Sequence, residues 1–201
     1  VFITVTVDDG TPNHGPHTAI VDLDGVIASG APANAYDVIA GLEGAFANEN
    51  VKGIVIRINS PGGSPVQSEL INQEITRLRG INPNIPVYAV VEDLCASGGY
   101  YVAVAADQIY VSPSSIVGSI GVRMDGFEFT EALESLGIKR RLLTAGKNKG
   151  FLDPFSPMKP EQRDHATSIL NNIHQQFIKA VTVGRGERLK ETPEIFSGLV
   201  W

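Results

Sequence analysis

The sequence predicts an α/β domain built around a mainly parallel sheet. Short β-branched runs alternate with amphipathic helical periodicities through the first half of the chain, the order expected of a parallel sheet. Two of those runs end in glycine-rich loops, Asn59-Ser60-Pro61-Gly62-Gly63 and Ala96-Ser97-Gly98-Gly99-Tyr100-Tyr101. The 201 residues are 43% hydrophobic and 19% charged, enough to bury a sizeable core. With no internal repeat, low-complexity tract or linker, residues 1–201 read as a single domain.

Val1–Val7 alternates apolar residues with Thr, as a half-exposed strand does, and Asp8–Pro16 is turn-rich. His17–Leu23 returns to strand. Ala35, Val38, Ile39, Leu42 and Phe46 recur at helical spacing, predicting a helix over Asn34–Glu49. Gly53–Ile58 has the composition of a buried strand, broken by the Asn-Ser-Pro-Gly-Gly run. A second helical pattern through Val66, Leu70, Ile71, Glu74, Ile75 and Leu78 closes at Gly80. Pro86–Val91 is a strand, Ser97–Ala106 a small-residue helix, and Gln108–Val111 a further strand. Lys139–Thr144 reads as a late strand and Lys159–Val183 as a long helix, with Pro160 permitted in its first turn.

Lys and Arg number 16 against 22 Asp and Glu, a net charge of −6, and the longest basic run is Lys139-Arg140-Arg141. Nucleic acid, which needs a basic face, is therefore not an expected partner. The single cysteine, Cys95, excludes an internal disulfide framework and a four-cysteine zinc site, and reads as a buried small hydrophobe. His165 and His174 stand nine positions apart on the late helix and are poor metal partners, so neither a metal nor a cofactor is expected. The longest stretch without Asp, Glu, Lys or Arg, Gln108–Val122, contains Pro113 and falls short of the ~20 apolar residues of a membrane span. A chain that opens at Val1 and stops at Trp201 is read as a piece of a longer protein.

In parallel α/β sheets the loops at the carboxyl ends of neighbouring strands share one crevice. Ser97, at the start of a small-residue helix, would meet free backbone N–H groups there, with Gly62 and Gly63 offering donors from the opposite loop. A hydroxyl nucleophile with two convergent N–H donors is what acyl transfer requires. The base is open between four histidines and two lysines, Lys147 and Lys149, in the glycine-bounded loop Gly146–Gly150. A lysine serves only when neutral, which calls for burial or a neighbouring cation.

Four ordered motifs carry a specific resemblance: Ile58–Gly63, Ala96–Tyr101, Gly118-Ser119-Ile120-Gly121-Val122 and Gly146–Lys149. From about His17 to Trp201 the chain resembles the signal peptide peptidase A (protease IV) family of serine–lysine peptidases. The resemblance implies a Clp-protease/crotonase-like fold, a repeated β-β-α spiral with a mainly parallel sheet. It implies Ser97 as nucleophile, Lys149 rather than Lys147 as general base, Ser119 as the hydroxyl holding the lysine amine, and Gly63 and Gly98 as oxyanion-hole donors. It further implies leftover signal peptides and other apolar segments as substrates, and a homo-oligomeric ring in which neighbouring protomers share active sites. An N-terminal anchor would hold the domain at the cell inner membrane, facing outside the cytoplasm.

Two other chemistries compete. Ala19–Ile27 contains Asp22 and Asp24 in a pattern similar to the first motif of haloacid-dehalogenase-like phosphatases, with Glu92-Asp93 imitating a magnesium pair. That chemistry also needs a lysine to hold the phosphate, and none occurs between Lys52 and Lys139. A crotonase-like acyl-CoA enzyme would use the glycine loops but leave Ser97, Ser119 and Lys149 without a role. A domain serving only in assembly would use none of them.

Overall fold

A computed structural model of the protein describes residues 15–190, 192 and 194–201. The strand expected over Val1–Val7 and most of the following turn lie outside the described residues. The described residues form two compact units, one comprising residues up to Gly121 together with Gln176–Trp201, the other Val122–Gln175.

The first unit is an α/β layer structure on a mostly parallel sheet. Its strands are β1 (His17–Asp24), β2 (Val51–Ser60), β3 (Val87–Ala96), β4 (Gln108–Tyr110) and β5 (Ile116–Gly118). The sheet runs β1-β2-β3-β4 with every pair parallel. Each of the first two crossovers carries a helix, α1 (Ala35–Ala47) and α2 (Pro65–Ile81), while the short α3 (Gly98–Ala103) follows β3. Parallel strands need such long returns, which explains the alternation seen in the sequence.

While one face of the central strand carries half-buried Val55 and Asn59 and the exposed Arg57, the other is fully buried, with Ile54, Ile56 and Ile58 of β2 all 0% exposed. Each such side chain contributes roughly 1.5–3 kcal/mol by leaving water. α1 buries Val38, Leu42, Ala45 and Phe46, and its start is set by Asn34, whose Oδ1 accepts the Asp37 N–H at 2.9 Å. α2 opens with Ser64 as N-cap and Pro65 in its first turn, and buries Ile71, Ile75 and Leu78. It runs past Gly80, because a solvent-facing glycine costs only about 1 kcal/mol there. Asn82 ends it, donating both its backbone N–H and its Nδ2 to the Leu78 carbonyl.

β3 extends five residues beyond the expected Val91, through the polar Glu92-Asp93. A non-local partner sustains it. On its edge away from β2, Tyr88–Val90 pair with β4, and farther along Leu94–Ala96 pair with β5. β5 was not legible as a strand, since three residues carry no periodicity of their own. The antiparallel segment Leu199–Trp201 then closes on β5: Val117 and Trp201 exchange N–H···O bonds of 2.8 Å.

The second unit contains α4 (Thr130–Ser135) and the first part of the long helix α5 (Pro160–Arg185). Phe129 and Phe155 stack at 5.7 Å, the Arg140 guanidinium lies 5.3 Å over the Phe155 ring, and Arg140 pairs with Asp153. The strand expected at Lys139–Thr144 is instead irregular, exposed backbone. Among the described residues no strand pairs with it, and an isolated strand has nothing to stabilise its backbone groups.

Candidate active site

The carboxyl ends of β2 and β3 deliver the two glycine loops to one place. Ser97 follows the last residue of β3 and precedes α3, with φ 52° and ψ −121°. That backbone region is unfavourable for any residue with a side chain and costs about 1–3 kcal/mol. It turns the chain sharply from strand to helix and leaves the half-buried Ser97 side chain with no capping bond to α3. The turn is pinned on both sides: the Ser97 N–H reaches the Gly118 carbonyl at 2.8 Å, and the Ser97 carbonyl accepts the Tyr101 N–H at 3.0 Å.

The glycines are required by close approach. A Cβ on Gly62, where φ is +89°, would overlap the Gly98 nitrogen and sit 2.8 Å from Ser97 Cβ. A Cβ on Gly98 would lie 3.2 Å from the Gly63 nitrogen and collide with Ser68 Oγ. The Gly63 and Gly98 amides are thus near neighbours beside Ser97. Among the described residues neither N–H is matched to an acceptor, although both stand in a tightly bonded frame. Gly62 donates to Ser60 Oγ at 3.1 Å, Ile27 donates to the Gly62 carbonyl at 2.9 Å, and Ser64 donates to the Ile27 carbonyl at 2.7 Å.

Ser119 comes to the same place through β5. The β3–β5 register ends at Ala96 and Gly118, so Ser97 and Ser119 are the next residues after the adjacent strands. Ser119 has φ 53° and is half-buried, and its N–H is held by the Leu199 carbonyl at 2.7 Å. Four of the residues singled out in the sequence, Ser97, Ser119, Gly63 and Gly98, therefore meet in the first unit. Lys147 and Lys149 belong to the second unit. Both are exposed, in a turn where the Lys149 N–H donates to the Gly146 carbonyl at 3.1 Å.

Beneath Ser97, Cys95 is fully buried, and loss of water around its thiol pushes its pKa up to about 12. It is a neutral packing group, as its neighbours in sequence suggested. The phosphatase pattern has a different explanation. Asp22 is gripped by Arg57 through bonds of 2.7 and 3.0 Å, which occupy both oxygens of the carboxylate that reading needs for attack. Asp24 accepts a bond from Asn59 Nδ2 at 3.3 Å. Both acids line the exposed face of β1. His165 is exposed and meets the edge of Phe151.

Two features were missed in the sequence. The Ser60 hydroxyl lies inside the loop framework, and the Leu199 carbonyl holds Ser119. Ser60 stood in a quoted motif but read only as a strand-breaking residue; for Leu199 no local signal existed.

A half-buried serine on a strained backbone, beside two unmatched backbone donors, is the arrangement that acyl-transfer hydrolases use. The chain belongs to peptidase family S49, whose model matches residues 81–201; these are serine peptidases of the Clp-protease-like fold, the fold the mostly parallel sheet follows. Over 187 residues, 90% of the chain, it is 44% identical to a Brucella abortus (strain 2308) protein named Na(+)/H(+) antiporter NhaA, of which the match covers 25%. It is 36% identical to a putative protease of Methanocaldococcus jannaschii over 77% of the chain and 49% of that protein. A putative signal peptide peptidase SppA of Enterococcus faecium is 25% identical over 98% of the chain and 58% of its own length. The chain thus spans from a quarter to somewhat over half of these curated relatives. Among its described residues, no helix is long and apolar enough to cross a membrane.

Proposed function

We propose that the protein is a serine endopeptidase that cleaves peptide bonds through an acyl-enzyme, with Ser97 as nucleophile and Lys149 as general base. The observation that carries this reading is the strained Ser97 lying against the unmatched Gly63 and Gly98 amides. Ser97 Oγ attacks the scissile carbonyl carbon while the neutral Lys149 amine takes its proton. Negative charge develops on the carbonyl oxygen, where the two amide N–H groups stabilise it without reorganising. Collapse breaks the C–N bond, and Lys149 returns the proton to the departing amine. Water then attacks the ester carbon, gives a proton to Lys149, and the acid leaves as Ser97 recovers its hydrogen. Ser119 bonds the lysine amine and keeps it in line with Ser97.

The substrates in this reading are remnant signal peptides and other apolar segments, supported by the name of the Enterococcus faecium relative. The active form is a homo-oligomeric ring in which one protomer supplies Ser97 and its neighbour Lys149. An N-terminal anchor outside the given residues holds it at the inner membrane, with the catalytic part facing away from the cytoplasm.

Labelling with an alkyl fluorophosphonate, followed by mass mapping, tests the nucleophile. An adduct on Ser97, together with loss of casein cleavage in Ser97→Ala, is the expected result. Undiminished cleavage by Ser97→Ala overturns the reading. Mixing Ser97→Ala with Lys149→Ala protomers tests the shared site: activity returns on reassembly, whereas no recovery despite verified subunit exchange places both groups within one protomer.

A further inference from the structure

Ser60, which ends β2, is 0% exposed and yet carries a hydroxyl with both of its hydrogen-bonding functions engaged. Its Oγ donates to the Gly25 carbonyl at 2.6 Å and accepts the Gly62 N–H at 3.1 Å. One hydroxyl therefore ties the loop after β1 to the loop after β2. The following peptide, between Gly62 and Gly63, is held by a second tie, since its carbonyl accepts the Ile27 N–H at 2.9 Å. In a trans peptide the N–H points opposite to the C=O. The Gly63 N–H is thereby turned away from Ile27 and left open. Two consecutive glycines rotate easily, so this direction is not intrinsic to the Gly62–Gly63 segment. The ties at Ser60 and Ile27 impose it. Ser60 also packs against the start of α3: a Cβ on Gly99, the residue after Gly98, would lie 3.0 Å from the Ser60 carbonyl oxygen and 3.3 Å from Ser60 Cβ.

We propose that Ser60 is the positioning residue of the oxyanion-binding amides, its buried hydroxyl fixing the Gly62 N–H so that the next peptide, Gly62–Gly63, whose carbonyl Ile27 holds, keeps the Gly63 N–H on the Ser97 side. The proposal rests on the serine-hydrolase reading above. It makes a distinct claim. Ser60 touches neither substrate nor nucleophile and acts through the orientation of one peptide group. In Ser60→Ala the Gly25 carbonyl and the Gly62 N–H lose their shared partner, and the loop gains freedom to rotate the Gly63 N–H out of place.

The test measures kcat and KM of wild type and Ser60→Ala on a peptide amide, with the concentration of competent sites counted by fluorophosphonate titration. Transition-state stabilisation is what an oxyanion donor supplies, and losing one outright costs about 10²–10³-fold. Loosening one is expected to lower kcat per titrated site about 10- to 100-fold with KM within about threefold. Affinity for a peptide aldehyde, whose adduct places an oxyanion between the amides, falls by a similar factor. A substrate-like peptide without an electrophile binds as before. A merely structural role lowers the number of titrated sites and leaves kcat per site unchanged; that result overturns the proposal. If Ser60→Ala does not fold, Ser60→Cys keeps a side chain of similar shape with a far weaker donor, and the same two outcomes decide. Undiminished turnover in Ser97→Ala identifies failure of the hydrolase reading itself, and the assignment of Ser60 falls with it.

Discussion

Ser97 and Ser119 both have positive φ, 52° and 53°, and each stands one step beyond the last register pair of the adjacent strands β3 and β5. The bond from Ser97 N–H to the Gly118 carbonyl links them through the residue preceding Ser119. Two serines thus stand at the same sheet end, each where a strand ends in a residue of positive φ. The strain this stores belongs to the fold as a whole, since β3 and β5 meet only after about twenty residues of intervening chain.

That strain makes Ser97→Gly informative. Glycine relaxes the left-handed backbone, so unfolding free energy should rise by about 1 kcal/mol while amide hydrolysis falls at least ~10³-fold. Urea denaturation alongside a cleavage assay checks both. Ser97→Ala should lose activity equally without gaining stability.

The two loop lysines should separate cleanly. Lys149→Ala is expected to lower turnover at least ~10³-fold, and Lys147→Ala less than about fivefold. Because the base must be uncharged, kcat/KM of the wild type should climb with pH along a single limb. Equal losses in the two variants, or a flat profile while chemistry limits the rate, would count against Lys149.

Gly62→Ala should be severe although the Gly62 N–H is bonded to Ser60 and not offered to substrate. Its Cβ has no space beside the Gly98 nitrogen and Ser97 Cβ, and its φ is +89°. A stability loss of about 1–3 kcal/mol and a drop in kcat of at least about tenfold are expected, measured by denaturant midpoint and steady-state kinetics.

Cys95 should resist alkylation by iodoacetamide in the native protein at pH 8 and react once urea unfolds the chain, because its thiol ionises only near 12 when folded. Above the ordinary thiol range the unfolded chain releases a proton that the folded chain keeps. Stability is unaffected by this group at lower pH and falls as pH rises toward 12, by about 1 kcal/mol per pH unit. The difference between wild-type and Cys95→Ala stabilities, followed from pH 7 to 10, isolates that slope.

Ile56→Ala removes a side chain that is 0% exposed at the centre of β2. A loss of about 2–5 kcal/mol is expected in chemical denaturation, with the catalytic loops intact in whatever fraction remains folded.

Much of the first unit was legible because its signals are local. Asn34 announces α1, β2 is a β-branched run whose isoleucines fill one face of the sheet, and Pro65 follows a capping serine. Gly62, Gly63 and Gly98 were visible as site elements because their residue type is itself the requirement. Elements that depend on distant partners were not. The end of β3 reads as a polar loop until β5 pairs with it, and Lys139–Thr144 reads as a strand although it has no pairing partner among the described residues.

The sequence alone determined the α/β class, the two glycine loops, the candidate serine and the family, since each is written in periodicity or in residue types at fixed spacing. Only the tertiary structure decided that Ser97 is strained, that Ser119 stands beside it, and that the Ser60 hydroxyl ties one loop to another. Those relations are made by hydrogen bonds between segments up to about eighty residues apart, and bonds of that kind exist only once the sheet has brought its strand ends together.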